Sequence, residues 1–215
     1  ITVKFNNTGT ASDTQTALSN AIAAGKGAPD VVMLEDPTVT QFAVTGDLAD
    51  LSQFGADKIA DDFSAGPWNK LQYNNKPYAL PIDSGPEMFF YNDAVFKKAG
   101  VDGTKIKTWD DYYEAAKKVK AAGSYMTNNS GSSMEYQPFT AQAWQAGAQP
   151  WKVDGEKITI DMTNDAGMKK YIDFQQKLID EDLIDTKTAN WSDDWNRELN
   201  DGTIASLTIG GWMPI

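Results

Sequence analysis

Carboxylates and aromatic rings dominate the side chains that could do chemistry in this sequence. Its 215 residues hold 30 Asp and Glu against 19 Lys and Arg, with seven Trp, eight Tyr and nine Phe. Sugar rings present apolar C–H faces that pack on aromatic rings, while their hydroxyls pair with carboxylates and amides. Acid-rich and Trp-rich together therefore suit a polyhydroxylated ligand. Two carboxylates about 5–10 Å apart would equally suit glycoside hydrolysis. Thirty acids supply such a pair in any fold, so their number does not separate binding from cleavage. Most of the rings belong in cores, and Trp109, Trp144, Trp151 and Trp195 are read first as packing residues.

Other chemistries are excluded more firmly. Cys and His are both absent, which removes disulfides, thiol nucleophiles, imidazole bases and nearly every zinc or copper site. No cofactor and no metal is expected. The net charge of −11 repels phosphate backbones, and no Lys/Arg cluster overrides that sign, so nucleic acid is not an expected partner. Gly25-Lys26-Gly27 lacks the Lys-Ser/Thr of a phosphate loop and the third glycine of a dinucleotide fingerprint. No segment has the glycine and glutamate positions of a calcium loop.

The elements that must position these side chains follow from periodicity and punctuation. No apolar run approaches the roughly 18 residues of a membrane helix, and a soluble chain of one large domain or two small lobes is expected. Ile1–Phe5 alternates with period two and predicts a strand. Ser12 or Asp13 can cap a helix with Ala17, Leu18, Ala21 and Ile22 on one face, ended by Gly25 and Gly27. Val31–Leu34 has the continuous apolar character of a buried parallel strand. Asp36 followed by Pro37 predicts an N-cap and a helix that turns Val39, Phe42 and Ala43 inward and stops at Gly46. Strand, helix, strand, helix at this spacing implies βαβ units and an α/β fold.

Further along, Leu71–Tyr73 and Pro77–Ile82 flank Asn74-Asn75-Lys76 as a hairpin with a three-residue turn. Met88–Tyr91 predicts a buried strand, with Asp93 capping the next helix. Thr108-Trp-Asp-Asp111 has the spacing of a capping box for a helix carrying Tyr112, Ala116 and Val119. Ser124–Ser133, rich in Ser, Asn and Gly, predicts a loop. Phe139–Ala146 predicts a helix, and Ile158–Ile160 a short strand. Asn164–Ile179 is the clearest amphipathic helix. Asp194–Leu199 predicts a helix, and Ile204–Ile209 a strand running into Gly210-Gly211-Trp212.

Five segments, in order, resemble extracellular solute-binding protein family 1. They are Gly27-Ala-Pro-Asp-Val-Val-Met-Leu34; Leu48-Ala-Asp-Leu51 after Gly46; Asn75-Lys-Pro-Tyr-Ala-Leu-Pro81; Phe90-Tyr-Asn-Asp93 through Lys97-Lys-Ala-Gly100, followed by Thr108–Tyr112; and Gly202-Thr-Ile-Ala205 leading to Gly210-Gly-Trp212. The resemblance implies a two-lobe periplasmic-binding-protein-like fold of type II, here truncated at both ends. Residues 1–84 would form an incomplete N-terminal lobe with the first hinge crossing, and residues 85–215 an incomplete C-terminal lobe.

The resemblance also implies the ligand residues. Trp212, after the glycine turn, would stack on a sugar ring; the competing assignment is a core residue. Asp83 and Ser84 stand at the implied hinge, where a carboxylate accepts from vicinal hydroxyls. Glu35 and Asp36 follow the Val31–Leu34 strand, at the end where open α/β sheets bind ligands. Glu135 matches the glutamate of a Glu-Pro-Tyr contact seen in the family, and Tyr136 stands in for its tyrosine. The function implied is a non-catalytic oligosaccharide receptor of a bacterial ABC importer. It would be a monomer, periplasmic or lipid-anchored outside the cell, that takes a mono- or oligosaccharide and docks on membrane permease subunits. A glycoside hydrolase, or a receptor for a non-sugar solute, is the alternative.

Overall fold

A computed structural model describes residues 2–131, 136–154 and 157–213 of the chain. The chain divides into two compact units, Ile1–Ser84 and Gly85–Ile215.

The N-terminal unit is built from α1 (Ala11–Ala23), α2 (Asp36–Thr45), two 3-10 segments (Leu51–Phe54 and Ala56–Asp62), α3 (Ala65–Lys70) and a hairpin of β1 (Gln72–Tyr73) and β2 (Lys76–Pro77). The cap of α1 is neither Ser12 nor Asp13 but Thr10. Its hydroxyl accepts from the Asp13 amide at 3.2 Å, while the Asp13 carboxylate accepts from the Thr10 amide at 2.9 Å. That reciprocal pair satisfies two amides which the helix itself leaves unpaired. The cap position of α2 falls on Glu35 rather than Asp36, and no side chain caps it. Gly46 ends α2 in the left-handed conformation (φ 79°) that only glycine adopts without strain. Leu18, Val39, Phe42, Ala43, Ala56, Trp68 and Leu71 are buried, and Phe63 stacks on Trp68.

Two expectations fail in this unit. Neither Ile1–Phe5, described from residue 2, nor Val31–Leu34 forms a strand, and Val3 and Val31 are 79% and 89% exposed. An extended segment needs a neighbour to satisfy its amides and carbonyls. Among the described residues none pairs with either segment, so the expected βαβ ladder is not made here. The hairpin turn is also one residue shorter than expected. Asn74 and Asn75, at φ 51° and 59°, form a two-residue turn, and Lys76 belongs to β2, opposite Tyr73. Paired positive φ values match the right-handed twist of the strands they join.

In the C-terminal unit the order is β3 (Glu87–Tyr91), α4 (Asp93–Lys98), α5 (Trp109–Ala121), α6 (Tyr136–Gln145), β4 (Trp151–Asp154), β5 (Lys157–Ile160), α7 (Ala166–Asp180), α8 (Asp193–Asp201) and β6 (Ser206–Gly210). β3 pairs antiparallel with β6 along its whole length, Glu87 opposite Gly210 and Tyr91 opposite Ser206. The ladder continues as the Asn92 amide donates to the Ala205 carbonyl. Asn92, not Asp93, caps α4, its side chain accepting from the amides of Ala94 and Val95. The Thr108–Asp111 capping box forms with both arms in place.

The described part of the expected Ser124–Ser133 loop, residues 124–131, is not simply a loop. Tyr125 bridges Ile204 and Asn128 bridges Asp185, both in parallel. The amides of Tyr125 and Met126 donate to the carbonyls of Thr203 and Leu183. Residues 125–129 of this stretch therefore form an inner extended segment, bonded to residues 203–205 at its start and to residues 183–185 along its length. A side chain of β6 reaches it as well: the buried Ser206 hydroxyl donates to the Met126 carbonyl at 2.5 Å. One core gathers Phe96, Tyr112, Ala115, Ala116, Val119, Met126, Leu178, Leu183, Ile184 and Ala205. A second joins Trp195, Ile204, Leu207 and Ile209, with Phe90 and Met213 against it. Burial pushes the Tyr112 hydroxyl well above its ordinary range, partly offset by Ser206 and Thr127.

Candidate ligand-binding site

The end of β6 is shaped by three consecutive residues, Gly210, Gly211 and Trp212. The Gly211 amide donates to the Pro86 carbonyl at 2.9 Å, and the Met213 amide to the Gly210 carbonyl at 3.0 Å, which closes a turn. The indole of Trp212 folds back over the strand end. A Cβ placed on Gly210 would lie 2.2 Å from its Nε1, and one on Gly85 2.9 Å from its Cδ1. Only hydrogen at both positions leaves room for the ring.

Trp212 is stacked on Trp191, with ring centroids 5.6 Å apart and planes 24° apart. The two rings are 38% and 45% exposed, so the pair forms an apolar slab at the surface of this unit. Trp191 itself sits at φ 70°, a left-handed conformation that costs a bulky residue energy. Its surroundings hold it there. It packs at 4.9 Å on Trp195, which is almost wholly buried. The Trp195 indole Nε1 donates to Asn128 Oδ1 at 3.1 Å. The Asn128 amide in turn donates to the Thr188 carbonyl at 2.9 Å and to Asn190 Oδ1 at 2.6 Å. Asp185 accepts from the amides of Lys187 and Thr188, and the Ser192 hydroxyl accepts from the Trp195 amide. Residues 185–192 are thereby fixed at several points, and Trp191 with them.

Trp212 is thus not a core residue, and Trp191 is the partner that sequence reasoning missed. An Asn-Trp-Ser helix entry carries no signal of an outward ring; only the left-handed backbone shows it. Trp195 packs internally as expected. Trp144 and Trp151 pack edge to face on each other, yet both remain about half exposed.

The remaining expected residues are placed as follows. Asp83 and Ser84 are exposed and close the N-terminal unit, directly before Gly85 in the chain. Glu35 is exposed at the start of α2. Asp36 pairs with Lys70 at 3.0 Å in a largely solvated ion pair. Glu135 lies outside the described residues, and Tyr136 begins α6, its side chain likewise outside them. The sole arginine, Arg197, is occupied by Asp194 and Glu198. Among the described residues no group of three or more acids is placed to hold a metal ion, and no helix is long and apolar enough to cross a membrane.

Residues 1–213 match the family described as bacterial extracellular solute-binding protein. The arabinooligosaccharide-binding protein of Bacillus subtilis (strain 168) is 30% identical over 203 residues, 91% of this chain and 45% of its own length. The ABC transporter associated binding protein from B. animalis subsp. lactis Bl-04, solved in complex with beta-1,6-galactobiose, superposes with a TM-score of 0.86 at 49% identity. That match covers 97% of this chain and 51% of the other. The galacto-N-biose-/lacto-N-biose I-binding protein from Bifidobacterium longum, in complex with lacto-N-biose, gives a TM-score of 0.81 at 29% identity, over 98% and 50% of the two chains. The chain spans about half the length of these relatives. Its α/β architecture is that of type II periplasmic binding proteins. On the family match across nearly all of its residues, the chain belongs to the bacterial extracellular solute-binding proteins.

Proposed function

We propose that this chain is part of an oligosaccharide receptor serving a bacterial ABC importer, and that it binds its sugar without transforming it. The observation that carries this is the Trp191–Trp212 pair, two stacked, partly exposed indoles seated on a glycine turn. Such a slab matches the apolar face of a pyranose or furanose ring. The sugar complexes of the 49% and 29% identical relatives support the same ligand class.

In this function residues 1–84 form part of one lobe and residues 85–215 part of the other. Trp212 supplies the stacking face, and Asp83, Ser84, Glu35, Asp36, Glu135 and Tyr136 supply polar contacts to hydroxyls. Closure is a hinge motion that the ligand drives by touching both lobes. The closed monomer then docks on permease subunits outside the cell, whether lipid-anchored or periplasmic.

Intrinsic tryptophan fluorescence, titrated with beta-1,6-galactobiose, lacto-N-biose and arabino-oligosaccharides, tests the proposal. A saturable change is expected with at least one sugar, and its loss in Trp212→Ala. Overturning results would be no response to any sugar, a response only to glycerol phosphate esters, or smaller sugars released on incubation.

A further inference from the structure

Glu87 opens β3 directly across the ladder from Gly210. Directly paired residues project to the same face of an antiparallel ladder, with Cβ positions about 5 Å apart. On that face, at Gly210, stands the Trp212 indole, 2.2 Å from where a Cβ would be. The Glu87 side chain therefore rises beside the Trp212 ring, at the edge of the indole slab.

Its environment is unusual for a carboxylate. Oε2 is sealed from solvent and has no hydrogen-bond partner among the described residues. Burial holds the carboxyl above its ordinary value. The residue as a whole is only partly buried. A buried acceptor left unmade weakens a fold, and an apolar residue at this strand position would remove that weakness. Residues retained against stability are characteristic of binding sites. What an indole slab lacks for a sugar is an acceptor for the hydroxyls at the ring's rim, and Glu87 has accepting capacity that its own fold leaves unused.

We propose that Glu87 is a further ligand-contacting residue, whose carboxylate accepts a hydrogen bond from a hydroxyl of the sugar ring stacked on Trp212. This presupposes the sugar-receptor function. Calorimetric titration with beta-1,6-galactobiose, paired with thermal melts of the sugar-free protein, separates the alternatives for Glu87→Gln, Glu87→Leu and Trp212→Ala. Losing a hydrogen bond to a charged group should weaken binding about tenfold in Glu87→Gln. Glu87→Leu should bind no better than Glu87→Gln, while its sugar-free melting temperature stays level or rises. Two results overturn the assignment: both Glu87 variants binding within a factor of two of the parent, or Glu87→Leu melting well below it, which would make the carboxylate a structural group. A parent that binds none of the sugars would instead refute the receptor function itself. Loss of binding in Trp212→Ala with intact binding in both Glu87 variants would leave that function standing and Glu87 excluded.

Discussion

In the C-terminal unit, Met88–Tyr91 pairs along its full length with β6, whereas in the N-terminal unit the equally apolar Val31–Leu34 pairs with no described residue. Both segments are unbroken four-residue apolar runs, one aliphatic (Val-Val-Met-Leu) and the other mostly aromatic (Met-Phe-Phe-Tyr), each with a proline and acidic residues close by. What differs is the neighbour. A helix satisfies its amides within itself, but a strand is completed only by another stretch of chain. The contrast is confined to such long-range features. Each unit starts a 13-residue helix with the same reciprocal capping box, Thr10 with Asp13 and Thr108 with Asp111. Devices that close within four residues form in both units; among the described residues a ladder between strands far apart in the chain forms in one.

Substitutions can sharpen or break this contrast. The largest effect is expected at Phe96, fully buried beneath Phe89 and Tyr91. Phe96→Ala should cost about 3–5 kcal/mol in urea unfolding, while Val31→Ala should stay within about 0.5 kcal/mol. Equal costs would mean that Val31 is packed after all. Next comes Trp195→Phe, which leaves buried Asn128 Oδ1 without its indole donor and should cost about 1–3 kcal/mol. The same variant should loosen Trp191, read as a weaker near-ultraviolet circular dichroism signal; an unchanged spectrum would detach Trp191 from this support. Thr10→Ala and Thr108→Ala should each cost about 1 kcal/mol. A large disparity between them would show that the two boxes are not equivalent.

Acid should act with opposite sign on one carboxylate in each unit, Asp50 and Glu87. The Lys76 ammonium, then the Ser52 hydroxyl and amide, hold the Asp50 carboxyl down at about 2. Its folded value lies below its unfolded one, so its contribution is present above the ordinary value of 3.8 and fades as pH falls towards 2. Burial raises Glu87 above 4.5. Its contribution is therefore most favourable below 4.5 and is lost as pH rises through the elevated value. Urea midpoints followed against pH should show Asp50→Asn losing ground to the parent as pH rises from about 2 to about 4 and trailing it by a constant margin above that. Glu87→Gln should instead gain on the parent as pH rises. Parallel curves for the two variants would contradict the assigned signs.

What could be foreseen from the residues divides along the same line. The Thr108 box, the Gly46 stop and α7 rest on contacts between residues a few positions apart, and each was legible. The end of β6 was legible as a glycine turn because Gly210-Gly211-Trp212 names its own geometry. Ser124–Asn129 was not, since its polar composition argues for a loop until Asp185, Thr203 and Trp195 are brought to it. The partner of Trp212 was hidden for the same reason. Trp191 lies 21 positions earlier in the chain, and only the Asn128 network and its own left-handed backbone carry its ring there.

Gly85 and Gly210 give the ring of Trp212 its seat by what they omit. A single methyl at Gly210 would overlap the indole outright, whereas one at Gly85 would press its edge. The two positions thus constrain the ring unequally, Gly210 more tightly than Gly85. Gly85→Ala is therefore expected to displace the indole less than Gly210→Ala, each leaving the aromatic surface itself chemically unchanged.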